Sequence, residues 1–287
     1  MPSRERSKGV TMKRRVARVL PLLFLAGLYT WLRIAALEME VSHLPQDWAV
    51  PVISDGQTLM TYQRGDEDGQ PVIFIHGTPG SADNWAYFLD NPAPGFRVIA
   101  VDRPGFGGSI PSEGLPDMGE QAASLVPLLE GFLGRRPILV GHSLGGPIVA
   151  QVAVDYPELV GGIVIVAGSL SPSVESIFTI QYVGDLVGFR QVLPRSFRNS
   201  NHELLPLRHS LEKLAPRLAA ITCPVVIIHG TEDMLVPFSN VAYMEAHFSE
   251  GVIQDIMVLE GENHFLPWTA QERIWAGVTE LSRHFHP

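Results

Sequence analysis

The feature that most constrains this chain is a series of short, predominantly apolar runs at residues 72–76, 98–102, 138–141, 162–167, 225–229 and 253–259, the last interrupted by Gln254 and Asp255. Runs without polar alternation have no face to offer water, so they read as strands of a parallel sheet covered on both sides. Between them, stretches near 82–89, 117–133, 144–156, 237–248 and 268–285 have helical character. This alternation predicts an α/β fold, a mostly parallel twisted sheet with helices on both faces. Ahead of it, residues 48–54 and 57–64 meet through Asp55-Gly56, a favoured tight-turn pair, and read as an antiparallel hairpin. Residues 169–220 break the alternation. They carry Phe178, Tyr182, Phe189 and Phe197 and are divided by Pro172, Pro194, Pro206 and Pro216. About fifty residues exceed a simple loop, so a helical insertion is expected there.

Charge separates two regions. Residues 1–40 hold eight Lys and Arg against three Asp and Glu, a net of +5; with −9 for the whole chain, residues 41–287 carry −14. An acidic body repels polyphosphate, which excludes nucleic acid as the expected partner. In the basic arm, fourteen uncharged residues, 19–32, lie between Arg18 and Arg33. They span about 21 Å as a helix, short of the roughly 30 Å hydrocarbon core. If both arginines snorkel, residues 16–37 reach about 33 Å. The expectation is therefore a single membrane anchor over 16–37, with the body on the non-cytoplasmic side. The alternatives are export after signal-peptide cleavage and a packed amphipathic helix. Residues 33–37 offer no clean cleavage site. One cysteine, Cys223, can form neither an internal disulfide nor a cysteine-rich zinc site.

The chemistry centres on Gly141-His142-Ser143-Leu144-Gly145, set between the apolar run 138–141 and a helical stretch. Glycines on both sides of a serine let the chain turn sharply enough to raise its hydroxyl above the sheet. A nucleophilic serine needs a base, an acid to orient that base, and donors for the oxyanion. His264, in a loop between the last strand and the last helix, is the candidate base. His76 and His229 end strands, and His142 is expected to face away from Ser143. Glu232 and Asp233 both follow the preceding strand, and either could serve as the acid. Backbone N–H groups of Leu144 and of Thr78 are the candidate donors, since Pro79 has none.

The order His76-Gly77, Ser143, Asp233, His264, with Asp102-Arg103-Pro104-Gly105-Phe106-Gly107-Gly108-Ser109 between the first two, resembles the α/β-hydrolase superfamily over residues 48–285. The resemblance implies an α/β-hydrolase fold with a helical lid at 169–220 and favours Asp233 over Glu232, because Asp stands three residues after Gly230 in a turn closing at Pro237. It gives Asp102 and Arg103 a structural part and no catalytic one. Members with an aspartate nucleophile are set aside by Ser143. The implied activity is serine hydrolysis of carboxylic esters on Ser143, His264 and Asp233, without metal or organic cofactor, on a small apolar ester. Cleavage of a C–C bond, a lactone or an amide on the same triad, or a binding protein on an inactive scaffold, are the other readings. Oligomeric state is not legible.

Overall fold

A computed structural model describes residues 26–31, 34, 42–174 and 193–285. Its centre is one eight-stranded sheet in the order β1-β2-β4-β3-β5-β6-β7-β8. The strands are β1 (Ala49–Ser54), β2 (Gln57–Gly65), β3 (Gln70–Ile75), β4 (Phe96–Val101), β5 (Ile138–His142), β6 (Gly162–Val166), β7 (Val225–Gly230) and β8 (Ile253–Leu259). The hairpin forms as expected. Asp55 and Gly56 have φ of 49° and 77°, the left-handed pair of a tight turn, and Ser54 faces Gln57 across it. β1 and β2 are antiparallel, β2 joins β4 antiparallel, and every later pairing is parallel.

Helices cover both faces. They are α1 (Ala86–Asp90), α2 (Met118–Glu130), α3 (Gly145–Asp155), α4 (Arg195–Leu204), α5 (Leu207–Leu214), α6 (Ser239–His247), α7 (Leu266–Thr269) and α8 (Gln271–Ser282). Side chains alternate across the pleat, so each interior strand feeds two cores. Ile73 and Ile75 pack with Leu125 of α2 and Ile148 of α3. Val72 and Phe74 pack on the other face with Trp85, Phe88 and Ile274. Each such buried side chain contributes about 1.5–3 kcal/mol relative to exposure. β5, β6 and β7 have no exposed residue, which is why their sequences lack polar alternation.

The region expected as an insertion holds α4, α5 and a 3-10 turn at Ala215–Ala220, all between β6 and β7. Residues 175–192, including Phe178, Tyr182 and Phe189, lie outside the described residues.

One expectation is corrected. Among the described residues no helix is long and apolar enough to cross a membrane. Of the stretch 16–37, residues 26–31 and 34 are described, as exposed helix, and the rest lies outside. The uncharged run needed its flanking arginines to gain spanning length, and among the described residues no such span is found. The membrane association and non-cytoplasmic placement built on it fall with it.

Candidate active site

The parallel strands end on one edge of the sheet, and their loops meet there. The turn after β5 is closely packed against its surroundings. A Cβ on Gly141 would collide with the Gly145 carbonyl oxygen, and one on Gly145 with the Ile75 carbonyl oxygen. Ser143 between them has φ of 54°, unusual for a residue with a side chain. Its N–H donates to the Val166 carbonyl at 3.0 Å, and its own carbonyl accepts from Gly146 at 2.9 Å. Strand and helix thus pin the strained residue on both sides.

Asp233 and His264 come from the loops after β7 and β8, neighbours in the sheet. His264 Nδ1 lies 2.7 Å from Asp233 Oδ2. Asp233 Oδ1 accepts the N–H groups of Leu235 at 2.9 Å and Val236 at 2.7 Å. Burial works against the Asp233 charge, but the His264 hydrogen bond and charge, aided by those two N–H groups, outweigh it and hold the carboxyl below its ordinary value. With an ionised Asp233 as its partner, Nδ1 of His264 carries the proton, which leaves Nε2 able to accept one. Glu232, the neighbouring carboxylate, is exposed.

Ser143 and His264 line one cavity of about 390 Å³ together with Thr78 and Leu144. The N–H groups of Thr78 and Leu144 have no acceptor among the described residues. Leu204, Leu207, Leu235, Val236, Phe265 and Trp268 form its apolar wall. Of these, Leu204 and Leu207 belong to the inserted α4 and α5. The ionisable side chains among the described lining residues are His142 and His264 alone.

Three features were not legible beforehand. His142, expected to face away from Ser143, lines the same cavity, with its ring 4.8 Å from that of His264. Its Nε2 contacts the His264 carbonyl at 2.9 Å, and burial, then the adjacent His264, push its pKa down to about 3. Asn84 and Trp268, from outside the expected motifs, also reach the cavity. Finally, Arg103 is buried against Glu203 of α4, with Nη1 2.6 Å from Oε1. Asp102 beside it ties two turns together, accepting from Ala82 at 2.7 Å and Gly108 at 2.9 Å. Among the described residues no group of three or more His, Cys, Asp or Glu could hold a metal ion.

The family described as alpha/beta hydrolase fold matches residues 70–210. The 2-hydroxy-6-oxononadienedioate/2-hydroxy-6-oxononatrienedioate hydrolase of a Pseudomonas species is 33% identical over 211 residues, covering 60% of this chain and 74% of that protein. This chain belongs to the α/β-hydrolase family. The pimeloyl-[acyl-carrier protein] methyl ester esterase of Aeromonas salmonicida is 26% identical over 238 residues, 68% of this chain and 89% of that protein. In structure, the hydrolase fold here superposes on the monoacylglycerol lipase of Paleococcus ferrophilus with a TM-score of 0.62, over 79% of this chain and 99% of that one, at 22% identity. That likeness is one of fold.

Proposed function

We propose that this α/β-hydrolase cleaves carboxylic esters through an acyl-enzyme on Ser143. The observation that carries the reading is the 2.7 Å contact of His264 with buried Asp233, on a cavity that Ser143 also lines. Ser143 Oγ attacks the ester carbonyl while its proton passes to His264 Nε2, and the carbonyl electrons move onto oxygen. The N–H groups of Thr78 and Leu144 meet that oxyanion. Collapse expels the alcohol, which leaves with the proton from His264. Water, deprotonated by the same nitrogen, then frees the acid and restores Ser143. Asp233 holds the imidazole and stabilises its cation without taking the proton.

C–C bond hydrolysis on the same triad has support from the Pseudomonas relative, whose substrate is by name a dioate. A dicarboxylate calls for a cation in the cavity, and the described lining has no Lys or Arg. A neutral acyl chain suits the Leu, Val, Phe and Trp wall better. A series of p-nitrophenyl esters from C2 to C16, run beside a β-diketone acid and a lactone, separates the readings. Ester turnover peaking at short to medium chains is expected from a cavity of about 390 Å³. Turnover of the diketone alone would overturn the ester assignment.

A further inference from the structure

Thr78 N–H belongs to the Gly77–Thr78 peptide, whose other end is the Gly77 carbonyl. In a trans peptide these two groups point opposite ways, so whatever holds the carbonyl also aims the N–H. Two donors hold it. Arg103 Nη2 donates to Gly77 O at 2.8 Å, and His76 Nδ1 lies 2.6 Å from the same oxygen. His76 Nε2 accepts the Arg103 backbone N–H at 3.1 Å, so its proton sits on Nδ1 and points at Gly77 O. Burial, and then Arg103, keep the His76 pKa well below the ordinary histidine value, so this neutral form persists.

The remaining donors of Arg103 fix the guanidinium itself. Nε donates to His76 O at 3.0 Å; Nη1 donates to Gln121 Oε1 at 2.5 Å and Glu203 Oε1 at 2.6 Å; Nη2 also donates to Glu203 Oε2 at 3.1 Å. All five N–H groups are thereby engaged. Glu203 sits on inserted α4, and one turn earlier Ser200 Oγ accepts from Thr78 Oγ1 at 2.9 Å. Both charged groups are buried, at 1% exposure each.

We propose that Arg103, locked by Glu203 of the inserted helix, is a positioning residue for the oxyanion donor, aiming and polarising the Gly77–Thr78 peptide so that its N–H meets the developing negative charge. This rests on the ester-hydrolase reading above. A cation on the carbonyl end draws electron density toward oxygen and makes the N–H a stronger donor, an effect enlarged where water is excluded. A buried ion pair that only fastened the insertion to the body would act on stability and on substrate fit. A donor-positioning role acts only when the substrate oxygen becomes charged, so it lowers kcat and leaves KM alone.

The test compares wild type with Arg103→Lys and Glu203→Gln on p-nitrophenyl butyrate. Two inhibitors accompany it, an alkyl trifluoromethyl ketone that forms an oxyanion on serine and the matching secondary alcohol that cannot. Lysine keeps the charge but cannot span two carbonyls and a carboxylate. Arg103→Lys should cut kcat about tenfold to hundredfold, below the loss for removing an oxyanion donor outright. KM should stay within about twofold, the ketone Ki should rise by the factor by which kcat/KM falls, and the alcohol Ki should not move. Glu203→Gln should act in the same direction and less. If it fails to fold, Arg103→Lys decides alone. An unchanged kcat, or kcat, KM and alcohol Ki shifting together, would overturn the proposal. A wild-type protein that neither turns over esters nor binds the ketone would overturn the hydrolase reading instead.

Discussion

The two corners of the cavity are built in different ways. At the proposed acid–base corner, Asp233 and His264 are 31 residues apart and lie in the loops after adjacent strands. The sheet alone brings them together. At the proposed oxyanion corner, Arg103 and Glu203 are 100 residues apart, and the pairing depends on a helix inserted between β6 and β7. Topology places the first corner, whereas tertiary contact places the second. The acid–base corner should therefore fail all at once when a member is lost, and the oxyanion corner should fail by degrees.

Ser143→Ala gives the largest effect. Turnover should fall by about a million-fold, as when a triad serine is removed elsewhere, with the melting temperature little changed. His264→Ala should be comparable. Near-native turnover in either variant would break the comparison at its first term.

Next is the choice between two adjacent carboxylates. Asp233→Asn should lose about 10⁴-fold in kcat, because an amide cannot hold the right imidazole tautomer or stabilise its cation. Glu232 is exposed, so Glu232→Gln should stay within about twofold. Parallel kinetics on the two variants check this, and the reverse ranking would move the acid.

A milder change sharpens the other corner. Ser200→Ala removes the acceptor of the Thr78 hydroxyl without stranding a charge. A loss of about two- to fivefold in kcat is expected, since a neutral hydrogen bond contributes only about 1 kcal/mol. A thousandfold loss would mean that the oxyanion corner is as brittle as the triad.

A last effect is on stability and not on turnover. His76, His142 and His229 are buried with pKa lowered from 6.5, mainly by burial. Unfolding frees these rings to take up protons near their ordinary value, so below about pH 6.5 the unfolded state binds more protons than the native one. Stability should fall as pH drops from 6.5 toward the folded values, by up to about 1.4 kcal/mol per pH unit for each ring. Urea unfolding at pH 7.5 and 5.5 measures the slope, and His142→Gln should flatten it. An equal slope in that variant would remove His142 from this account.

These contrasts explain what was legible. The interior strands β3, β5, β6 and β7 were, because doubly covered segments must be apolar nearly throughout. The elbow was, because only glycine fits at 141 and 145, where a Cβ would strike a carbonyl oxygen. Residues alone left Glu232 and Asp233 open; family resemblance favoured Asp233, and the fold turns that side chain inward onto His264. Glu203 could not be read, since it lies in the polar run Arg-Asn-Ser-Asn-His-Glu, which gives no sign of a buried carboxylate. The N-terminal run misled for a similar reason: its length reached a bilayer only through assumed side-chain positions.

The most direct measurement is to trap the acyl-enzyme. A p-nitrophenyl ester, acid-quenched within the first turnovers, should leave its acyl mass on the peptide containing Ser143, and the Ser143→Ala protein should carry none. Acyl mass on another residue, or ester turnover in wild type with Ser143 never modified, would contradict the account.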